Sequence, residues 1–77
     1  MEEKVEKIML VVTEVLGDGP SPIFMGRMAK TFDEGGKDQK SLCEACVRAE
    51  KLVKLFIGIE ESKVLGQRFR EILEGRA

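Results

Sequence analysis

The chain has 77 residues, 43% of them hydrophobic and 35% charged, with 13 basic side chains against 14 acidic. That is the length of one domain, with apolar content for a core under a charged skin, although so short a chain buries only about 60% of its unfolded surface. Balanced charge supplies no long-range field to gather nucleic acid or an anionic membrane, and the lack of histidine removes the side chain most used in acid–base and metal chemistry.

Residues 2–16 read as the first helix. Val5, Ile8, Met9, Val12, Val15 and Leu16 recur at steps of three and four, which places them on one face. Leu10 and Val11 fall outside that face, so the stripe is wide and the helix is expected to touch neighbours on two sides. IMLVV is also β-prone. No second segment alternates apolar and polar residues to pair with it, so helix is preferred. The charged, acidic start MEEKVEK differs from a secretory leader. No apolar run approaches the roughly 18 residues of a membrane span. The expected location is the cytoplasm, with no membrane partner.

Gly17-Asp18-Gly19-Pro20-Ser21-Pro22 is the strongest break. Gly17 suits the left-handed position after a helix, Ser21 suits an N-cap, and Pro22 suits the first helical position. A short second helix, 22–33, buries Phe24, Met25, Met28 and Phe32. Gly26 lies inside it, where glycine costs roughly 1 kcal/mol relative to alanine. The expectation is that Gly26 admits a neighbouring helix closely. Gly35-Gly36 ends the segment.

The third helix, 39–57, carries the clearest signals. Ser41 and Glu44 form a capping-box pattern, with Asp38 as a rival cap that would start the helix one turn earlier. Leu42, Cys46, Ala49, Val53 and Phe56 form its apolar stripe, and Gly58 stops it. The fourth helix, 60–74, has Leu65, Phe69, Ile72 and Leu73 as its core face and stops at Gly75. Glu60 and Glu61 near its start and Arg68 and Arg70 in its second half complement the helix dipole.

Cys43-Glu44-Ala45-Cys46 is the one chemical candidate. A Cys-x-x-Cys at a helix start can hold a reactive thiolate. Redox motifs of this kind follow a strand in a βαβ unit, and none is readable here. Structural zinc needs four ligands; one chain offers Cys43 and Cys46, so a metal site would need a second copy. The simpler reading makes Cys46 a core residue and Cys43 a boundary one. A helix-turn-helix reading of the second and third helices meets the connection DEGGKDQK, longer than the usual turn. It also meets a recognition face that mixes Lys40, Arg48, Lys51 and Lys54 with Glu44 and Glu50.

From Val12 to Leu73 the chain resembles small helical domains appended to bacterial and archaeal signalling proteins. The resemblance rests on Val15-Leu16-Gly17 leading into Gly19-Pro20, a Met/Phe-bearing helix, a Gly-rich connection, a Ser-Leu helix start and the closing Ile72-Leu73. It implies a non-catalytic adaptor role and assigns no functional residue.

The expected fold is therefore all-α, one small four-helix bundle spanning the chain, with short antiparallel connections. The expected core is Val5, Ile8, Val12, Leu16, Phe24, Met28, Phe32, Leu42, Cys46, Ala49, Val53, Phe56, Leu65, Phe69 and Ile72. The expected function is a non-enzymatic protein-interaction or adaptor module, free of cofactors, whose partner is another protein or a second copy of itself. Leu10, Val11, Val47 and Leu55, left outside the main stripes, are the candidate interaction surface. The alternatives are a thiol redox or metal-binding protein using Cys43 and Cys46, and a small DNA-binding regulator.

Overall fold

The computed structural model describes residues 2–35 and 38–75. It is a four-helix bundle: α1 (Glu2–Leu16), α2 (Pro22–Gly35), α3 (Gln39–Phe56) and α4 (Ile59–Leu73). No strand occurs among the described residues. The helices run alternately up and down, and α3 packs most extensively on α4, with α1 against α4 and α2 against α3.

Local chemistry sets most of the ends. Gly17 sits at φ 59° and Gly75 at φ 77°, the left-handed conformation that glycine adopts without the Cβ penalty. The Ser21 Oγ accepts the Phe24 backbone N–H at 3.2 Å, which caps α2 just before Pro22. The cap of α3 differs from the Ser41 capping box. Asp38 is the N-cap, in extended conformation, and its carboxylate accepts the Ser41 N–H at 2.8 Å. An ionised carboxylate at the positive end of a helix takes this role better than a hydroxyl, and the same hydrogen bonds hold the Asp38 carboxyl below its ordinary pKa. The stop expected at Gly36 lies outside the described residues.

The core joins all four helices. Ile8, Val11, Val12 and Leu16 come from α1; Phe24, Met28 and Phe32 from α2. Leu42, Ala45, Cys46, Ala49 and Val53 come from α3, and Leu65, Phe69 and Ile72 from α4. The Phe32 and Phe69 rings meet edge to face at 5.8 Å, which ties α2 to α4 across the middle of the bundle. Both rings are almost wholly buried.

Four expectations are corrected here. Phe56 lies on the helical stripe, yet it is 63% exposed. It occupies the last residue of α3, beyond the point where the facing helices can cover it, and only its edge contact with Phe24 at 6.2 Å remains. Val5 is half-buried for the matching reason at the opposite end. Val11, assigned to the candidate surface, is buried, because α1 has neighbours on two sides. Gly26 has nothing near the place its Cβ would take and is exposed. The close approach occurs instead at Gly35, where an added Cβ would stand 2.7 Å from the Ala45 Cβ and 3.2 Å from the Ser41 carbonyl oxygen. Ala45, absent from the expected core, is buried as the partner of that glycine.

At one pole of the bundle the ends of three helices are cross-linked by polar contacts. The Lys4 Nζ donates to the Leu73 carbonyl at 3.2 Å and to the Gln39 Oε1 at 3.1 Å, and the Gln39 amide donates to the same Leu73 carbonyl at 3.2 Å. These bonds satisfy a carbonyl that the end of α4 leaves without a helical partner. The opposite pole holds the α1–α2 connection and the tight Ile57-Gly58 turn between α3 and α4.

Candidate functional site

The cysteines come first because they carry the only chemical motif. Both lie on the first half of α3, one turn apart, and both are free thiols. Cys46 faces the core at 3% exposure, among the apolar side chains that include Leu42 and Val53. Burial, with smaller contributions from Cys43 and Glu50, pushes its thiol up to about 12. That shift runs opposite to the one an exchange-active thiol requires. Cys43 is half-buried at the edge of the core. No group of three or more potential metal ligands gathers among the described residues. With native protein at neutral pH, a thiol reagent should modify Cys43 faster than Cys46 by at least about two orders of magnitude. Mass spectrometry of the labelled peptides checks this; equal rates would show that the α3 face opens far more readily than its packing suggests.

Beside the cysteines, Glu50 is a half-buried acid in the α3–α4 seam. Its carboxylate lies over Gly66 of α4 so closely that a Cβ there would collide with it. Its backbone carbonyl accepts the Ser62 hydroxyl at 2.9 Å, which leaves that buried serine satisfied. Burial raises the Glu50 pKa, with Arg70 pulling the other way. An acid raised in the folded state binds more protons there than in the unfolded chain. It therefore costs stability at neutral pH, and the cost is relieved as pH falls through the raised value and is gone below the ordinary value of 4.5. Glu50→Gln should accordingly raise the melting temperature at neutral pH. The gain is well under about 1 kcal/mol because solvent screens the group. The curves of the two proteins should converge in acid, and a gap that widens there would reverse the sign of this argument.

The exposed apolar residues define the remaining candidate. Leu10, Val47 and Leu55 are 70%, 51% and 76% exposed, whereas Val11 is not part of any exposed surface. Leu10 lies on α1 beside a shallow groove toward α4, next to the surface ion pair of Glu14 with Arg68 at 3.0 Å. Val47 lies in a second groove between α3 and α4, with Ile59 and the lysines at 51, 54 and 63. The larger concentration is at the pole of the α3–α4 turn. Ile23, Leu55, Phe56, Ile57 and Ile59 are all exposed there, and Ile23 and Phe56 share a third groove with Arg27.

Four of these five were missed by periodicity, for a clear reason. Ile23 and Ile59 stand in the first turns of their helices, and Phe56 and Ile57 at a helix end. An apolar residue on a stripe is expected to be covered, but a terminal turn has fewer neighbours to cover it. The run Leu55-Phe56-Ile57-Gly58-Ile59 carried the available signal: a turn bracketed by large apolar residues where turns are ordinarily polar.

The exposed side of α3 carries Lys40, Arg48, Lys51 and Lys54 with Glu44 among them. That mixture lacks the one-signed stripe that phosphate binding uses. No helix is long and apolar enough to cross a membrane among the described residues.

No family model, curated protein or solved structure matches this chain.

Proposed function

We propose that this domain is a non-enzymatic protein-interaction or adaptor module, acting in the cytoplasm. The observation that carries the reading is the apolar pole. Leu55, Phe56, Ile57 and Ile59 stand exposed around a single turn, and Ile23 of α2 shares a groove with Phe56. Exposed apolar area in a contiguous patch is costly to solubility and is characteristic of docking surfaces. Catalysis has little to draw on: the chain lacks histidine, and the buried thiol of its one cysteine motif is held protonated. The resemblance to helical domains of signalling proteins points the same way.

The test is co-purification from the native cell, with the full chain as bait and the doubly charged variant Ile23→Glu/Leu55→Glu as its comparison. Both substituted side chains are among the most exposed in the molecule, so the fold should persist, which circular dichroism verifies. A defined set of proteins retained by the natural chain and lost by the variant supports the reading. Identical retention by both would remove the pole from consideration as a docking surface.

A further inference from the structure

Three lysines line the groove between α3 and α4, and none of them has an acidic partner. Lys51 and Lys54 line it from α3 and Lys63 from α4. Val47 of α3 and Ile59 of α4 supply its apolar part, each about half exposed. Glu50 is the one acid that lines it. Three cations thus meet one carboxylate, in a chain whose formal net charge is -1.

Local sequence offers partners to two of these lysines, and neither is taken. Glu50 stands four residues before Lys54, the order and spacing at which glutamate pairs best with lysine on a helix. Its carboxylate lies instead over Gly66 in the seam, where Arg70 acts on it. Glu60 stands three residues before Lys63, and Lys51 has no acid three or four residues away on either side. Among the described residues, none of the three lysines forms an ion pair or a hydrogen bond.

Charge complementarity therefore asks for an occupant that brings carboxylates and apolar side chains together. Small-molecule sites bury most of their ligand, and a groove whose apolar walls are half exposed is too open for that. A nucleic acid would supply anions and leave Val47 and Ile59 without apolar partners. From Val47 to Lys54 the groove runs about 10 Å along α3, the reach of a short stretch of polypeptide.

We propose that the α3–α4 groove docks an acidic amphipathic segment of another protein, with its apolar side chains on Val47 and Ile59 and its carboxylates facing Lys51, Lys54 and Lys63. This inference rests on the interaction-module reading and gives the partner a chemistry, on a surface separate from Ile23 and Leu55. The apolar contacts supply most of the affinity, because exposed ion pairs contribute little, and the lysines select acidic sequence.

A displayed library of random short peptides, selected on the full chain, provides the probe. Enriched sequences are synthesised and titrated into the protein while its amide resonances are followed by NMR. The expected sequences have Asp or Glu flanking apolar residues, and the shifts concentrate at Val47, Lys51, Ile59 and Lys63. Lys51→Glu and Lys63→Glu, on opposite walls, should each weaken binding by about fivefold or more. Lys30→Glu makes the same charge change on an exposed site of α2 and should leave binding within about twofold of the natural chain. Circular dichroism verifies that all three variants fold. No enrichment, enriched sequences without acids, shifts centred elsewhere, or an equal loss with Lys30→Glu overturns the proposal. Duplex DNA and vesicles of anionic lipid are titrated in parallel. Either one bound through these lysines while acidic peptides are not also overturns it. Co-purification with Ile23→Glu/Leu55→Glu is a separate readout. If the groove fails and that variant still loses specific proteins, the groove alone is discarded and the module reading stands. If the groove fails and that variant loses none, both go.

Discussion

Phe69→Ala should leave the protein largely unfolded at room temperature. The ring is 1% exposed and packs edge to face on Phe32, so its removal takes away both the transfer free energy of a large aromatic and a contact that spans the bundle. Truncations of this kind cost about 3–5 kcal/mol. A bundle of this size has a total stability of only about 3–5 kcal/mol from a single core. The space opened lies where the Phe32 ring of α2 meets α4. Denaturant titration followed by circular dichroism measures the loss. A decrease of less than about 1 kcal/mol would mean that the core repacks around the gap. Phe56→Ala serves as the comparison within the same residue type. At 63% exposure it should cost far less, although sequence spacing alone ranks the two rings equally.

The second large effect is a contrast between two glycines in α2. Gly35→Ala would place a methyl group 2.7 Å from the Ala45 Cβ and 3.2 Å from the Ser41 carbonyl oxygen. Neither neighbour is the loose end of a long side chain, so relief requires α2 and α3 to move apart. Overpacking of this order costs about 1–3 kcal/mol. For a domain this small that lowers the melting temperature by about 4–8 °C for each kcal/mol. Gly26→Ala meets no atom within 4 Å and replaces the most flexible residue in a helix interior. It should stabilise by roughly 0.5–1 kcal/mol through helix propensity alone. Thermal melts of the two single variants should therefore shift in opposite directions. Shifts of the same sign would show that propensity outweighs the helix contact at Gly35, or that Gly26 has a neighbour in solution.

The two glycines also show where reading from sequence meets its limit. Gly26 was read as weakening the helix and admitting a neighbour, whereas Gly35 was read with Gly36 as the stop after it; only one of the two takes a close neighbour. Which one depends on the face each presents, and a residue without a side chain contributes nothing to the apolar pattern that assigns faces. Ala45 escaped the expected core for the same reason: a small residue adds little to periodicity, yet only a small residue fits opposite Gly35. Large apolar residues in the middles of helices were legible, as Ile8, Met28, Leu42, Val53, Leu65 and Phe69 show. So were the ends marked by Gly17, Pro22 and Gly75, where the chemistry of a single residue dictates the backbone. Residues in terminal turns were misjudged, because exposure there depends on how far each helix overshoots its neighbours. The candidate surface suffered most from this. Leu55 was recognised by its position outside the stripe, while Phe56 was assigned to the core for lying on it.

The Lys4–Leu73–Gln39 contacts bring the first turn of α1 and the last turn of α4 together at one pole, while the apolar turn lies at the other. The bundle thus has a handle and a head. A fluorophore, an affinity tag or a surface tether attached at the first turn of α1 or the last turn of α4 emerges on the handle side, away from the head. Immobilising the protein through those two turns therefore presents the Leu55–Ile59 turn to solution.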